Sequence, residues 1–438
     1  MVALPHQSIQ IACRPHYISS LTPERHRGIK RKKTLDNRPP LPGNRTMTEA
    51  DVRHILDTVP GSRRAATGVI VDHGDGRFHH ITGVMRLDPE LSEQENLDLA
   101  YASKHEIVRM RDLRTPHDYL LRVRLNAIAA SPRLVRTFRQ RRVRFEKRGR
   151  RWTLTDYYNA QNTDAKRYVS RLSRKDRRIV KTVPYGLAPI EEANAVAQKT
   201  ILGDVVMVAE HLRYFYYFMN IAMYGQYHDI GQNDCIDAGV IALRIMRGSE
   251  SSDFDLDPRA VLPAPVELKI QSLTAAQMEF TFGHEFAHML NGHLAAEYSD
   301  DDVRLYSHEC EYAADLGAVL AVRPDHAARK RIARGAFDVL LYLHFLESSA
   351  DAGLLRSFSA SDTHPRPVDR IDRLLDALNV RYLNPPGEIE ASKEAIESMA
   401  RWVKWRADTA EQPDLLGFYG SIYLRGFTDR LKRDRIDF

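Results

Sequence analysis

The stretch that decides the fold is AAQMEFTFGHEFAHML, Ala275 to Leu290, in which His284 and His288 stand four residues apart with Glu285 beside the first. On an α-helix, residues four apart lie one above the other on one face, so both imidazoles can reach a single ion. Glu285 is then placed to take a proton from a water on that ion. The segment has no proline, a single glycine and apolar residues all round, which is the pattern of a helix buried on every side. Thr274 with Gln277 three residues on reads as a capping box at its start, and Asn291-Gly292 reads as its stop. Two histidines and a carboxylate inside such a helix need partners, because unpaired charge is costly away from water. A metal ion is the simplest partner.

A catalytic zinc keeps three protein ligands and one open position. His293 follows His288 by five residues, whereas the three-histidine pattern needs six, with a glycine where Asn291 stands. His293 is therefore expected to support the helix end or a ligand histidine. Downstream, SHECEYAADLGA offers Glu311 and Asp315, again four apart on an alanine-rich helix. Glu311 is the expected third ligand. Asp315, on the same face, is expected to accept the remaining ring N–H of a ligand histidine and fix its tautomer. Glu309 has Ala313 four residues later and lacks such a companion.

His284-Glu285-Phe286-Ala287-His288 followed by a Glu-x-x-x-Asp helix resembles the gluzincin metallopeptidases. The finer match is to the CAAX-prenyl-protease and HtpX-like peptidases. Ser361-Asp362-Thr363-His364-Pro365 followed by Arg370-Ile371 is similar to an element those enzymes carry after their glutamate helix. The resemblance spans about residues 270–380 and implies a zincin-like catalytic domain with two metal-binding helices. It also implies one catalytic Zn²⁺, with His364 and Arg370 as auxiliary catalytic residues beside Glu285. His364 would assist the oxyanion or act as a fourth, inhibitory ligand. A strand running along the cleft is a further feature of such enzymes, and Asp237–Arg247, DAGVIALRIMR, reads as that strand. Relatives of this branch usually span membranes. This chain contains no 18-residue run free of charge, and its nearest approach, Val205 to Tyr224, reads as a buried or amphipathic helix.

With 438 residues and 43% apolar content the chain can bury a large core, and it is expected to be mostly α with a small β component, α+β in class. The expected regions are a basic, disordered arm (1–46), a helical basic region with a β-hairpin near 69–84 (47–190), the zincin-like domain (191–385) and a helical extension (386–438). Met47 is an alternative start. Cys13, Cys235 and Cys310 are far apart and form no CxxC, so neither a disulfide framework nor a zinc knuckle is supported. The N-terminus has no apolar core of the signal-peptide kind, and the expected location is the cytoplasm. No internal repeat is present.

Charge is unevenly placed. Residues 1–48 carry nine Lys and Arg against two acids, and residues 131–181 carry eighteen against four, while the whole chain is only +6. The rest is net acidic. In the densest run, Arg139–Trp152, aromatics recur at Phe138, Phe145 and Trp152, the interleaving seen on nucleic-acid surfaces. A solvated face, or one that pairs with acidic surface of the same chain, fits the run as well. The expected function is a zinc-dependent endopeptidase acting on an intracellular protein. The alternative is a regulatory protease or binding protein whose basic half holds nucleic acid or an acidic partner, with the zinc site regulatory or structural.

Overall fold

The computed structural model describes residues 44–72, 74, 78–81, 83–85, 87–190, 194–295, 303–355, 364–378, 386–410, 414–424 and 431–433. Of the basic arm, 1–43 lies outside these residues, as do Cys13 and Ser361 to Thr363. The chain forms two compact units, one of residues 1–100 with 435–438 and the other of residues 101–434.

In the first unit β1 (Asn44–Thr46) takes the last residues of the expected arm and pairs antiparallel with β5 (Gly83–Met85). Helix α1 (Glu49–Thr58) starts at the Thr48–Asp51 capping box. Strands β2 (Ser62–Arg64), β3 (Val69–Asp72) and β4 (Phe78–Ile81) form an antiparallel sheet, and β3 with β4 is the expected hairpin. Val52, Val69 and Val71 form its small core. A short α2 (Glu93–Asp98) follows another capping box, Ser92 with Glu95.

The second unit is mainly helical. Its first part is the expected helical region: α3 (Lys104–Arg109), α4 (Pro116–Ala130), α5 (Pro132–Glu146), α6 (Leu154–Gln161), α7 (Thr163–Arg171) and α8 (Arg174–Val180). The aromatics of the arginine-rich run do not form an exposed stacking surface. Phe138 and Trp152 are buried, and the half-buried Phe145 meets Trp152 edge to face at 5.5 Å. Arg141 is buried too, and it pairs with Glu210 at 2.6 Å and Asp255 at 2.7 Å. At this position the basic run is neutralised from within the unit.

A three-stranded sheet comes next: β6 (Tyr185–Ala188), β7 (Ala195–Thr200) and β8 (Gly203–Ala209). The order is β6-β8-β7, with β6 parallel to β8 and β7 antiparallel to it. The segment from Val205 to Tyr224 is therefore not one helix. Its first residues lie in β8, and α9 (Glu210–Tyr224) takes the rest. Asp237–Arg247 is no strand either; all but Arg247, the C-cap, belong to α10 (Gln232–Met246). Its β-branched residues favour a strand only weakly, and Val240, Ile241 and Ile245 are all buried within a helix whose every side meets protein.

Helix α11 (Ala264–Leu290) runs through the middle, against α7, α9, β7, α12 (Val303–Leu320) and α13 (His326–Asp351). It starts about three turns before the expected cap. Thr274 and Gln277 are mid-helix and buried, where Thr274 and Gln277 both bond Asn220, which also accepts from Tyr342. Buried polar groups need such partners, so a side-chain pair that suits a helix start is used here inside a core. Phe280, Phe282 and Phe286 are each buried and contribute roughly 1.5–3 kcal/mol apiece. Gly335 of α13 lies so near α11 that a Cβ there would stand 2.4 Å from the carbonyl oxygen of Ala276. The fold closes with α14 (Pro367–Leu378), α15 (Pro386–Asp408) and the antiparallel pair β9 (Gly420–Ile422) and β10 (Leu431–Arg433). Cys235 and Cys310 are buried. Among the described residues no helix is long and apolar enough to cross a membrane.

Candidate metal centre

The last turns of α11 carry His284 and His288, and the helix stops at Asn291 with Gly292 in the left-handed region (φ 78°), as the sequence indicates. Gly283 faces Tyr168 of α7, whose hydroxyl donates to the Ala318 carbonyl of α12 at 2.8 Å. That contact ties α11 and α12 together beside the site. On α12, Glu311 and Asp315 share one face and both turn toward α11.

Three donors converge. The Nε2 atoms of His284 and His288 lie 3.1 Å apart, and Glu311 oxygens lie 3.4 Å from the first and 3.3 Å from the second. His284, His288 and Glu311 form a group able to hold a metal ion. Glu311 faces His284 with Oε2 and His288 with Oε1, and one donor atom from each of the three residues lies within 4.8 Å of the others. Two imidazole nitrogens and a carboxylate are a donor set suited to a transition-metal ion.

Each donor has a second contact. His284 Nδ1 faces Asp315 Oδ1 at 2.9 Å, the partner expected from the spacing. His288 Nδ1 faces His293 Nδ1 at 3.0 Å, so His293 meets the ring nitrogen remote from Glu311. Arg370 donates to Asp315 from Nε at 2.8 Å and from Nη2 at 2.7 Å, and its Nη1 lies 3.1 Å from Glu311. Its guanidinium thus holds Glu311 and Asp315 together. His364 is further out: its Nε2 is 3.6 Å from Glu311, and its side chain is 56% exposed.

Electrostatics follow from burying these charges together. Burial works against a charged His284, yet the Glu311 and Asp315 carboxylates raise it to about 10. Burial also opposes ionised Glu311, but His284, His288 and Arg370 hold it far below the usual carboxylate range. Asp315 is likewise held low, against burial, by Arg370 and His284. The centre therefore attracts positive charge strongly, and a divalent cation can replace the proton on His284. Glu285 differs in sign. Burial pushes it up against the pull of His284 and His288. His364 is lowered by burial, against Glu311.

Ala197 lies on β7, an edge strand that packs on α11. The segment read as a cleft strand, 237–247, lies in α10 and its C-cap instead. Compared with family models, curated proteins and solved structures, the chain matches none.

Proposed function

We propose that this protein is a zinc-dependent endopeptidase of the gluzincin type, acting on a protein substrate inside the cell. The observation that carries the reading is the set of three donor separations, 3.1, 3.3 and 3.4 Å, between two imidazoles and one carboxylate. A glutamate that follows the first of those histidines completes it, since a purely structural site has no need of a buried base. Two imidazoles with one carboxylate also suit iron, and the buried Glu285 beside the first imidazole is what favours a zinc peptidase.

In this reading His284, His288 and Glu311 hold the ion. When bound, it supplies positive charge that polarises a carbonyl and acidifies a water. Glu285 accepts a proton from the attacking water and returns it to the leaving nitrogen. Burial, which raises Glu285, brings its proton affinity nearer to the working range of such a base. Asp315 keeps the Nδ1 proton on His284, which leaves Nε2 free to ligate, and Arg370 holds Asp315 in place. The outer edge of β7 is where an extended peptide would add as a further strand.

The test is Glu285→Gln, which preserves shape and removes the base. The purified variant should retain zinc as the wild type does. Added to a cell lysate, it should generate none of the new protein N-termini that the wild type generates. Loss of zinc from the variant, or the same set of new termini, contradicts the assignment.

A further inference from the structure

A second site lies at the other half of α11, away from the metal centre. A cavity of about 990 Å³ opens between α7, α9, the 254–262 loop and α11, with Arg331 of α13 reaching in. Its size is that of a small-molecule pocket. One wall is aromatic: Tyr214 stacks on Phe254 at 4.4 Å, Phe218 meets Phe254 at 5.4 Å, and Tyr217 also lines it. Two large apolar side chains that line the same cavity, Val261 and Leu268, are 66% and 69% exposed. They give it an apolar rim that no neighbour covers among the described residues.

The lining is also cationic. Arg167, Arg171 and Arg331 all converge on one carboxylate, that of the fully buried Glu279. Arg213 pairs with Asp164 at 2.7 Å, and Arg167 also reaches Asp164 at 3.4 Å. Four guanidinium groups thus share two acids. The other acid of the lining, Glu267, is engaged by Tyr217 and Gln271, and a fifth arginine, Arg259, is committed to Glu250 and Asp253. Arg213 Nε is buried and has no hydrogen-bond partner. Excess guanidinium donors beside an apolar, aromatic wall are what an anion with an apolar body requires, because planar guanidinium matches carboxylate, sulfonate and phosphate alike.

We propose that this cavity binds an organic anion, with its acidic head on Arg167, Arg171, Arg213 and Arg331 and its apolar body between the aromatic wall and the Val261–Leu268 rim. The site is independent of the metal centre. An acyl carboxylate and a nucleoside monophosphate share this chemistry.

The test uses the full chain and anilinonaphthalene sulfonate, a fluorescent aromatic anion. Saturable binding of one probe per chain is expected, equal in zinc-loaded and zinc-stripped protein. Arg331→Gln leaves Glu279 with two arginines, and Leu268→Asp changes only an exposed rim. Each should weaken the probe by about tenfold or more, the scale of one charge-assisted hydrogen bond. Unchanged unfolding midpoints would show that the fold is kept. Displacement by laurate identifies an acyl ligand, and displacement by adenosine monophosphate a nucleotide. Failure of both to displace the probe, absence of saturable binding, or equal affinity in the folded Leu268→Asp variant overturns the proposal. Peptidase activity is not read, so this outcome and that of the metal reading are separate.

Discussion

Asp315→Asn removes one charge from the centre and keeps its shape. The native carboxylate, only 1% exposed, meets three groups: Arg370 Nε at 2.8 Å, Arg370 Nη2 at 2.7 Å and His284 Nδ1 at 2.9 Å. An amide has one acceptor oxygen, so at least one of these contacts is lost. The guanidinium of Arg370 stays buried and charged, since burial does not overcome the carboxylates that raise it, and only Glu311 then balances it. Leaving one partner of a buried ion pair without its mate costs about 3–5 kcal/mol. The remaining Glu311–Arg370 contact offsets part of that, so a loss of roughly 3 kcal/mol is expected in urea unfolding of the zinc-free protein. Zinc affinity should fall separately, by about 10–100-fold, because the His284 ring is no longer held in its ligating tautomer. A chromophoric chelator in competition measures that fall. The double variant Asp315→Asn with Arg370→Gln distinguishes the two effects. It removes the stranded charge, so at least about 1 kcal/mol of stability should return as coupling between the sites. Zinc affinity should not return with it. Unchanged zinc affinity in Asp315→Asn would refute the orienting role, and strictly additive stabilities would refute the stranded charge.

Two further changes test the frame around the site. Gly335→Ala gains about 1 kcal/mol in helix propensity, but its Cβ would press on the Ala276 backbone of α11, an overpacking cost of typically 1–3 kcal/mol. A net loss of roughly 0–2 kcal/mol in urea unfolding is expected, and a more stable variant would show that the helices can separate freely. His211 is lowered by burial, against the raising pull of Glu210. Its folded value lies below the unfolded one, so the unfolded chain binds the extra proton. The stabilisation is present above about pH 6.5 and is lost as pH falls. Between roughly pH 7.5 and 5.5 the wild type should lose more stability than His211→Gln, and parallel losses would remove His211 as the cause.

Much of the centre could be read in the sequence because helix geometry fixes spacing. His284 with His288, and Glu311 with Asp315, are i,i+4 pairs, and two such pairs on facing helices leave few ways to meet. Local caps were as legible, since Thr48 with Asp51 acts within one turn. Errors arose where long-range packing outweighs local preference. Thr274 and Gln277 have the spacing of a cap, but Asn220 and Tyr342, distant in sequence, take them into a core network. The run from Val240 to Ile245 is rich in residues that favour strands, yet burial on all sides makes it a helix. Spacing in the basic run leaves open whether its aromatics are exposed; Phe138 and Trp152 are buried. Arg370 was placed near the centre by resemblance alone, and its hold on Asp315 depends on the path of α14.

The central claim is that His284, His288 and Glu311 bind one zinc ion. X-ray absorption at the zinc edge of the loaded full-length protein tests it most directly. One zinc per chain is predicted, with a first shell of nitrogen and oxygen at about 2.0–2.1 Å, outer-shell scattering from two imidazoles, and loss of one imidazole contribution in His288→Ala. Sulfur scattering near 2.3 Å, or the same spectrum in His288→Ala, would contradict the account.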